Sequence, residues 1–147
     1  MKVVIGADHR GYRLKEALKA YLSGQGIEVL DVGTDSGEST HYPLYAKAVA
    51  EKVKSGEAEY GVLICYTGIG MSIAANKIPG IRAALATTPE LVELARRHNN
   101  ANILCLPGGF IEPEKAQQLV DLFLRTGFDG GRHAYRIGLI QDLESCE

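Results

Sequence analysis

Cysteine is scarce in this chain. There are three, Cys65, Cys105 and Cys146, and none forms a Cys-x-x-Cys pair. An odd number at that spacing offers neither a disulfide framework nor a zinc site, and it points to a reducing, cytoplasmic setting. Neither sign of charge is in marked excess. Sixteen Lys and Arg stand against eighteen Asp and Glu, a formal net charge of −2. That balance gives no electrostatic reason to expect DNA or RNA. No apolar run approaches the roughly 18 residues of a membrane span. The opening Met1-Lys2-Val3-Val4-Ile5-Gly6-Ala7-Asp8 turns acidic too soon for a secretory signal peptide. Repeats, low-complexity tracts and linkers are also missing. Residues 1–147 are therefore expected to form one domain, of a size that buries a real core.

What is present centres on the stretch from Gly61 to Lys77. Val62 to Ile64 is a continuous apolar run, the pattern of a strand buried on both faces. Tyr66 to Gly70 is a turn with two glycines. Met71 to Lys77 suits a helix, stopped by Pro79-Gly80. A strand, a glycine turn and a helix together aim backbone N–H groups at an anion. Cys65 and Thr67 stand at the mouth of that turn.

The remaining chain repeats the alternation. Val3-Val4-Ile5 reads as a first strand. Leu14, Ala17, Leu18, Tyr21 and Leu22 recur at helical spacing, which predicts a helix from Gly11 to Ser23 closed by Gly24 and Gly26. Ile27 to Val32 is a strand and Gly33 to His41 a polar loop. Pro43 opens a helix with Leu44, Ala48, Val49 and Val53 on its apolar face. Beyond the central stretch come a strand (Ile81 to Ala86), a helix (Pro89 to Arg97) and a strand (Ile103 to Leu106). Pro113 to Arg125 is a helix whose inner face is Ala116, Leu119, Val120, Phe123 and Leu124. After Gly130-Gly131, Arg132 to Leu143 makes a last helix.

Strands alternating with helices predict an α/β fold, a five-stranded parallel sheet covered on both faces. Ligands of such sheets bind outside the carboxyl ends of the strands. Asp8 and His9 follow the first strand, Cys65 to Gly70 the third, and Asn102 and Gly108-Gly109 flank the fifth. His98-Asn99 closes the helix before it. These residues are expected to converge on one cleft.

Dinucleotide binding fits poorly. Ile73 stands where Gly68-x-Gly70 needs a third glycine, and the turn follows the third strand instead of the first. In the first turn the glycine spacing is wrong, and Asp8 would oppose a pyrophosphate. Asp31 at the end of the second strand mimics a ribose-binding acid but stands alone. No Walker A pattern exists.

Proton transfer fits better. A helix N-terminus beside Cys65 favours its thiolate, which can take a proton from carbon next to a carbonyl. The resulting charge falls on an enediolate oxygen. N–H groups of Tyr66 to Gly70 would hold it, each well-placed donor contributing roughly 3–4 kcal/mol, and Thr67 adds a hydroxyl. The other reading of Cys65 is a small core residue. Cys105, between Leu104 and Leu106, is assigned to packing, and Cys146 to an exposed end. His9 and His98 fall at element ends. Each alone reads as a cap or surface residue, but beside Asp8, Thr67 and Asn99 each suits proton exchange or binding. Arg132 and Arg136 share a helix face next to His133, as a clamp for a phosphate monoester or as a solvated basic face. Ile137, Ile140 and Leu143 require that helix to pack somewhere. A second subunit would carry the arginines to a neighbour's cleft.

Several ordered segments together bring a family into view. They are Asp8-His9, Tyr42-Pro43-x-Tyr45-Ala46, Cys65-x-Thr67-Gly68-x-Gly70-x-Ser72-Ile73-Ala74-Ala75-Asn76-Lys77, Gly80-Ile81-Arg82-Ala83, His98-Asn99-x-Ala101-Asn102 and Gly130-Gly131-Arg132-His133-x-x-Arg136. The chain resembles type B ribose-5-phosphate isomerase and its sugar-phosphate isomerase relatives over essentially its whole length. The resemblance implies a flavodoxin-like three-layer sandwich with an extra C-terminal helix. It also implies a metal-free, cofactor-independent aldose–ketose isomerase. On it, Cys65 is the base and His98 the acid that opens the sugar ring. Asp8 holds hydroxyls, and Tyr66, Thr67, Gly68, Ile69 and Gly70 form the anion hole. Asn99 binds near the reacting carbons, Tyr42 lines the substrate, and His9, Arg132 and Arg136 hold the phosphate. The partners implied are a small sugar phosphate and a second copy of the chain, in a homodimer with shared sites or a tetramer built from it. Neither nucleic acid nor membrane is implied. Six-carbon sugar phosphates or free rare sugars are the alternative substrates, and a non-catalytic binding module is the alternative from another class.

Four positions depart from the family pattern. Tyr66 replaces a usual glycine, Gly109 an arginine associated with phosphate, and His41 and Asn100 aspartates. Arg10 adds a cation beside His9 that can compensate for Gly109.

Overall fold

A computed structural model describes residues 1–145, so Cys146 lies outside the described residues. Five strands, β1 (Lys2–Ala7), β2 (Glu28–Asp31), β3 (Tyr60–Cys65), β4 (Ala83–Leu85) and β5 (Ile103–Pro107), form one parallel sheet in the order β2-β1-β3-β5-β4. Six helices accompany it: α1 (Tyr12–Gly24), α2 (Tyr42–Lys54), α3 (Ile69–Ala75), α4 (Pro89–Asn99), α5 (Pro113–Arg125) and α6 (Arg132–Leu143). The expected three-layer α/β architecture is present, with α6 as the extra C-terminal helix. Relative to the flavodoxin order 2-1-3-4-5, the last two strands are exchanged. Burial explains the exchange. β5 is buried throughout, whereas the three-residue β4 is half covered and suits an edge.

Side chains alternate across the sheet and divide the core in two. Val3, Ile5, Val62, Ile64, Leu104 and Leu106 point to one face and pack on α1, α4 and α5. Val4, Leu63, Cys65, Ile103 and Cys105 point to the other and pack on α2 and α3. Cys105 is fully buried there, and desolvation holds its thiol well above the ordinary range, consistent with a packing role.

Two sequence expectations need correcting. The buried face of α2 is Ala46, Val49, Ala50 and Val53, while Leu44 is exposed and Ala48 only half-buried. The helix begins at Tyr42, so its inward stripe is rotated from the one Leu44 defined. Next, α3 starts at Ile69, two residues before Met71, and ends at Ala75. Asn76 caps it and turns its side-chain amide to the backbone N–H and C=O of Ala83. Asp31, already set aside as a ribose-binding acid, has a structural partner instead. It accepts from Lys15 Nζ at 2.6 Å and Lys19 Nζ at 2.9 Å, which overcome the opposing effect of burial and keep its carboxyl below the usual range. Lys15 is only 1% exposed and uses Asp31 as its counter-ion.

Candidate active site

The sheet order reverses at β1 and β3, the place where a crevice opens beyond the carboxyl ends of the strands. Asp8 and His9 leave β1 there, and Cys65 to Gly70 leave β3. The side chain of Asp8 is buried and accepts from the Arg10 backbone N–H at 3.0 Å, which ties the loop into a tight turn. His9 Nδ1 accepts from the Thr40 N–H at 3.2 Å. In a neutral ring, that acceptor places the proton on Nε2, leaving a donor free for a ligand. Thr40 was not visible as a site residue from sequence, because its part is played by the backbone.

Cys65 is 6% exposed at the end of β3, and its Sγ accepts from the Gly68 N–H at 3.2 Å. Gly68 has φ +77°, and a Cβ there would lie 2.6 Å from Leu85 Cδ1. Only glycine accommodates both the left-handed backbone and the close approach that turn this amide back onto the sulfur. Thr67 Oγ1 accepts from the Ile69 N–H at 3.2 Å, so the hydroxyl keeps its own proton to donate. The Thr67 amide has no acceptor among the described residues. Tyr42, at the start of α2, lies over Gly70, where a Cβ would sit 2.6 Å from its Cε1. Asp8, His9, Tyr42 and the loop Cys65 to Gly70 therefore border one crevice. Because α3 has only seven residues, its dipole contributes less than the loop amides themselves.

His98, Asn99, Arg132 and Arg136 do not join them within this chain. This corrects the expectation of a single edge. A helix following a parallel strand runs back to the sheet's amino edge, so the last residues of α4 lie where strands begin. The Gly61 N–H at the start of β3 donates to Asn102 O, just after α4. From Gly61 to Cys65 the strand covers about 13 Å at its usual rise. Asn102 likewise sits at the amino edge. There it accepts from the Arg82 N–H through Oδ1.

The amino-edge group has its own organisation. The His98 ring stacks on His133 with centroids 4.1 Å apart and planes 8° apart, and His98 Nε2 is 4.0 Å from Asp129 Oδ2. His133 was named beside the arginines from sequence, but Asp129 was not singled out. The signal available was its place immediately before Gly130-Gly131, which lead into the helix carrying Arg132. Asn99, Arg132 and Arg136 are exposed, and neither arginine has a carboxylate partner among the described residues. Asn100 ends α4 with φ +48°, a conformation asparagine tolerates better than most residues. Its Oδ1 accepts from Arg96 Nη1 at 3.0 Å.

Comparison with known proteins places this geometry. A family model described as Ribose/Galactose Isomerase matches residues 3–140. The chain belongs to the ribose/galactose isomerase family. Ribose-5-phosphate isomerase B of Escherichia coli is 44% identical over 143 residues, covering 97% of this chain and 96% of the relative. A crystal structure of a ribose 5-phosphate isomerase from Thermotoga maritima superposes with TM-score 0.94 at 56% identity, covering 96% of this chain and 97% of that one. The Mycoplasma genitalium ribose-5-phosphate isomerase B, solved with bound ribulose-5-phosphate, superposes with TM-score 0.94 at 38% identity and covers 99% and 97%.

In this member of the isomerase family, His133 is held below the ordinary histidine range. Desolvation is the first cause, and the nearby His98, Arg132 and Arg136 add to it. Below the usual histidine value of about 6.5, the unfolded chain takes up a proton that the folded chain resists. Stability should therefore decline as pH falls from about 7 to about 5, and His133→Gln should flatten part of that decline. Denaturant midpoints across this range test the expectation, and an unchanged slope in the variant contradicts it.

Proposed function

We propose that this chain is a cytoplasmic aldose–ketose isomerase that interconverts ribose 5-phosphate and ribulose 5-phosphate, with residues 1–147 acting as one domain. The observation that carries the reading is the Cys65 sulfur, held by the Gly68 amide at the crevice shared with Asp8 and His9, in a chain of this family.

On this reading Asp8 binds sugar hydroxyls and the His9 Nε2–H binds phosphate. The Cys65 thiolate takes the proton from C2 of the open-chain aldose and returns it to C1. Charge develops on the adjacent oxygens in the enediolate, and the O2 hydroxyl proton passes to O1 as the C2 carbonyl forms. The amides of Tyr66 to Gly70 and the Thr67 hydroxyl face that charge. Tyr42 closes the side of the crevice over Gly70. The side chains used require no metal or cofactor for these steps.

A second copy of the chain would supply His98 to open the furanose ring, Asn99 near the reacting carbons, and Arg132 and Arg136 for the phosphate. Support comes from the division of these residues between opposite edges of one sheet. Further support comes from apolar surface flanking the second group. Leu139, Ile140 and Leu143 on α6 are exposed there, while Ile69 and Ile73 on α3 and Leu85 on β4 are exposed beside the Cys65 loop. Between α6 and β4 runs a groove of about 610 Å³ lined partly by Ile81, Ala83, Ile140 and Leu143. Self-association of this face would cover it and complete both sites.

Incubation with ribose 5-phosphate in heavy water tests the reading. Ribulose 5-phosphate should form, with solvent deuterium entering at C1 and, in the reverse direction, at C2. Ligand-dependent stabilisation without turnover or exchange would identify a binding module instead.

A further inference from the structure

Arg10 stands one residue from His9, and its guanidinium has no carboxylate partner among the described residues. Its carbon Cζ lies 4.0 Å from the centroid of the Tyr66 ring. Stacking occupies a face of the guanidinium and leaves its N–H edge free for an anion.

The ring beneath it is fixed from two further directions. Tyr66 packs on Phe110 with centroids 5.1 Å apart. It also fills the space above Gly109, where a Cβ would come within 2.2 Å of Tyr66 Cε1 and 2.4 Å of Cδ1. The Gly109 N–H donates to Tyr66 O at 2.9 Å, so the two backbones are joined as well. Tyr66 and Gly109 are thus a matched pair, since a side chain at 109 and this ring cannot share the same volume. The ring remains 41% exposed, next in sequence to Cys65. Together these residues make a shelf on the rim of the crevice that holds the Arg10 cation, one residue along the chain from His9.

We propose that Arg10, held on the face of Tyr66, contacts the substrate's phosphate and sets the preference for a phosphorylated sugar. It acts with His9 from the chain that supplies Cys65. Gly109 serves by leaving room for the ring. The proposal rests on the isomerase reading of this crevice and names a further binding residue for it.

Steady-state kinetics with ribose 5-phosphate, with inorganic phosphate as competitive inhibitor, test it. Arg10→Ala should raise KM and the phosphate inhibition constant by about tenfold each, with kcat within about threefold. Gly109→Ala should also raise KM, by displacing the ring, but should add little in an Arg10→Ala background. Unchanged KM and inhibition constant in Arg10→Ala would overturn the contact. Fully multiplicative effects of the two substitutions would overturn the part assigned to the shelf. Phosphorus NMR of inorganic phosphate binding to wild-type and Arg10→Ala protein reads the contact independently of turnover. Loss of the difference there would sink the Arg10 assignment, while absence of turnover by the wild type would sink the isomerase reading alone. Arg10 is exposed, and an unchanged melting transition in Arg10→Gln confirms that the fold is retained.

Discussion

Cys65→Ala should lower kcat for ribose 5-phosphate by about 10²–10⁴-fold, the range associated with losing a positioned general base. KM should change far less. Asp8, His9 and the loop amides that would bind the sugar phosphate are outside the substituted side chain. Alanine fits the space, because Cys65 points to the α2–α3 face among small residues, as Leu63 does two positions earlier. The main local loss is the acceptor for the Gly68 N–H. Folding should survive it, and a melting transition within a few degrees of wild type separates catalysis from collapse. Deuterium exchange at C2 must fall in parallel with turnover. A fall in turnover with exchange intact would move Cys65 from proton transfer to some other step. Full activity in the alanine variant would remove Cys65 as the base. Cys105 offers a control, since it is wholly buried and its thiol is held in the neutral form by desolvation. Cys105→Ala should affect stability and spare exchange.

Much of the fold was legible because each signal was local. Val62 to Ile64 and Ile103 to Leu106 are continuous apolar runs, and every residue of both runs is buried in its strand. Pro113 and the glycine pair at 130 and 131 mark where α5 and α6 begin, and both helices have the expected bounds. The Asp8-His9 turn and the Cys65 loop were correctly placed together, since each follows its strand at the carboxyl edge. What failed was the assignment of His98 and Asn99 to that edge. Periodicity tells which face of a helix is apolar, and Val92 and Ala95 do face inward. It does not tell which end of the sheet the helix's last turn reaches. That follows from the direction of the chain, which runs back along the sheet between β4 and β5. The link between Tyr66 and Gly109 was equally hidden. Both departures were visible, but only packing shows that one makes room for the other. Lys15 was missed for a related reason. A lysine at a helical inward position reads as an interruption until Asp31 is seen to neutralise it.

The separation of the two groups of residues makes a sharp prediction about assembly. Cys65→Ala and His98→Ala chains, each at least about tenfold impaired alone, should regain activity when combined in one dimer. Suppose each site takes Cys65 from one chain and His98 from the other. The mixed dimer then has one site with both substitutions and one site with neither. A purified heterodimer, isolated through two different tags after co-expression, should have about half the wild-type activity per dimer. Random mixing, in which half the dimers are mixed, should give about a quarter. No such recovery is possible if each chain works alone, because every chain lacks one essential group. The same experiment with Cys65→Ala and Arg136→Ala should restore KM for ribose 5-phosphate, since the intact site regains its arginine. Combining Cys65→Ala with Asp8→Ala provides the opposite control. Asp8 and Cys65 lie at the carboxyl ends of adjacent strands of the same chain, so every site in that mixed dimer lacks one of them. Recovery in the first two pairs and not in the third would require the His98 and Arg136 group to come from the neighbouring subunit. Failure in all three would leave the Cys65 crevice to act without it.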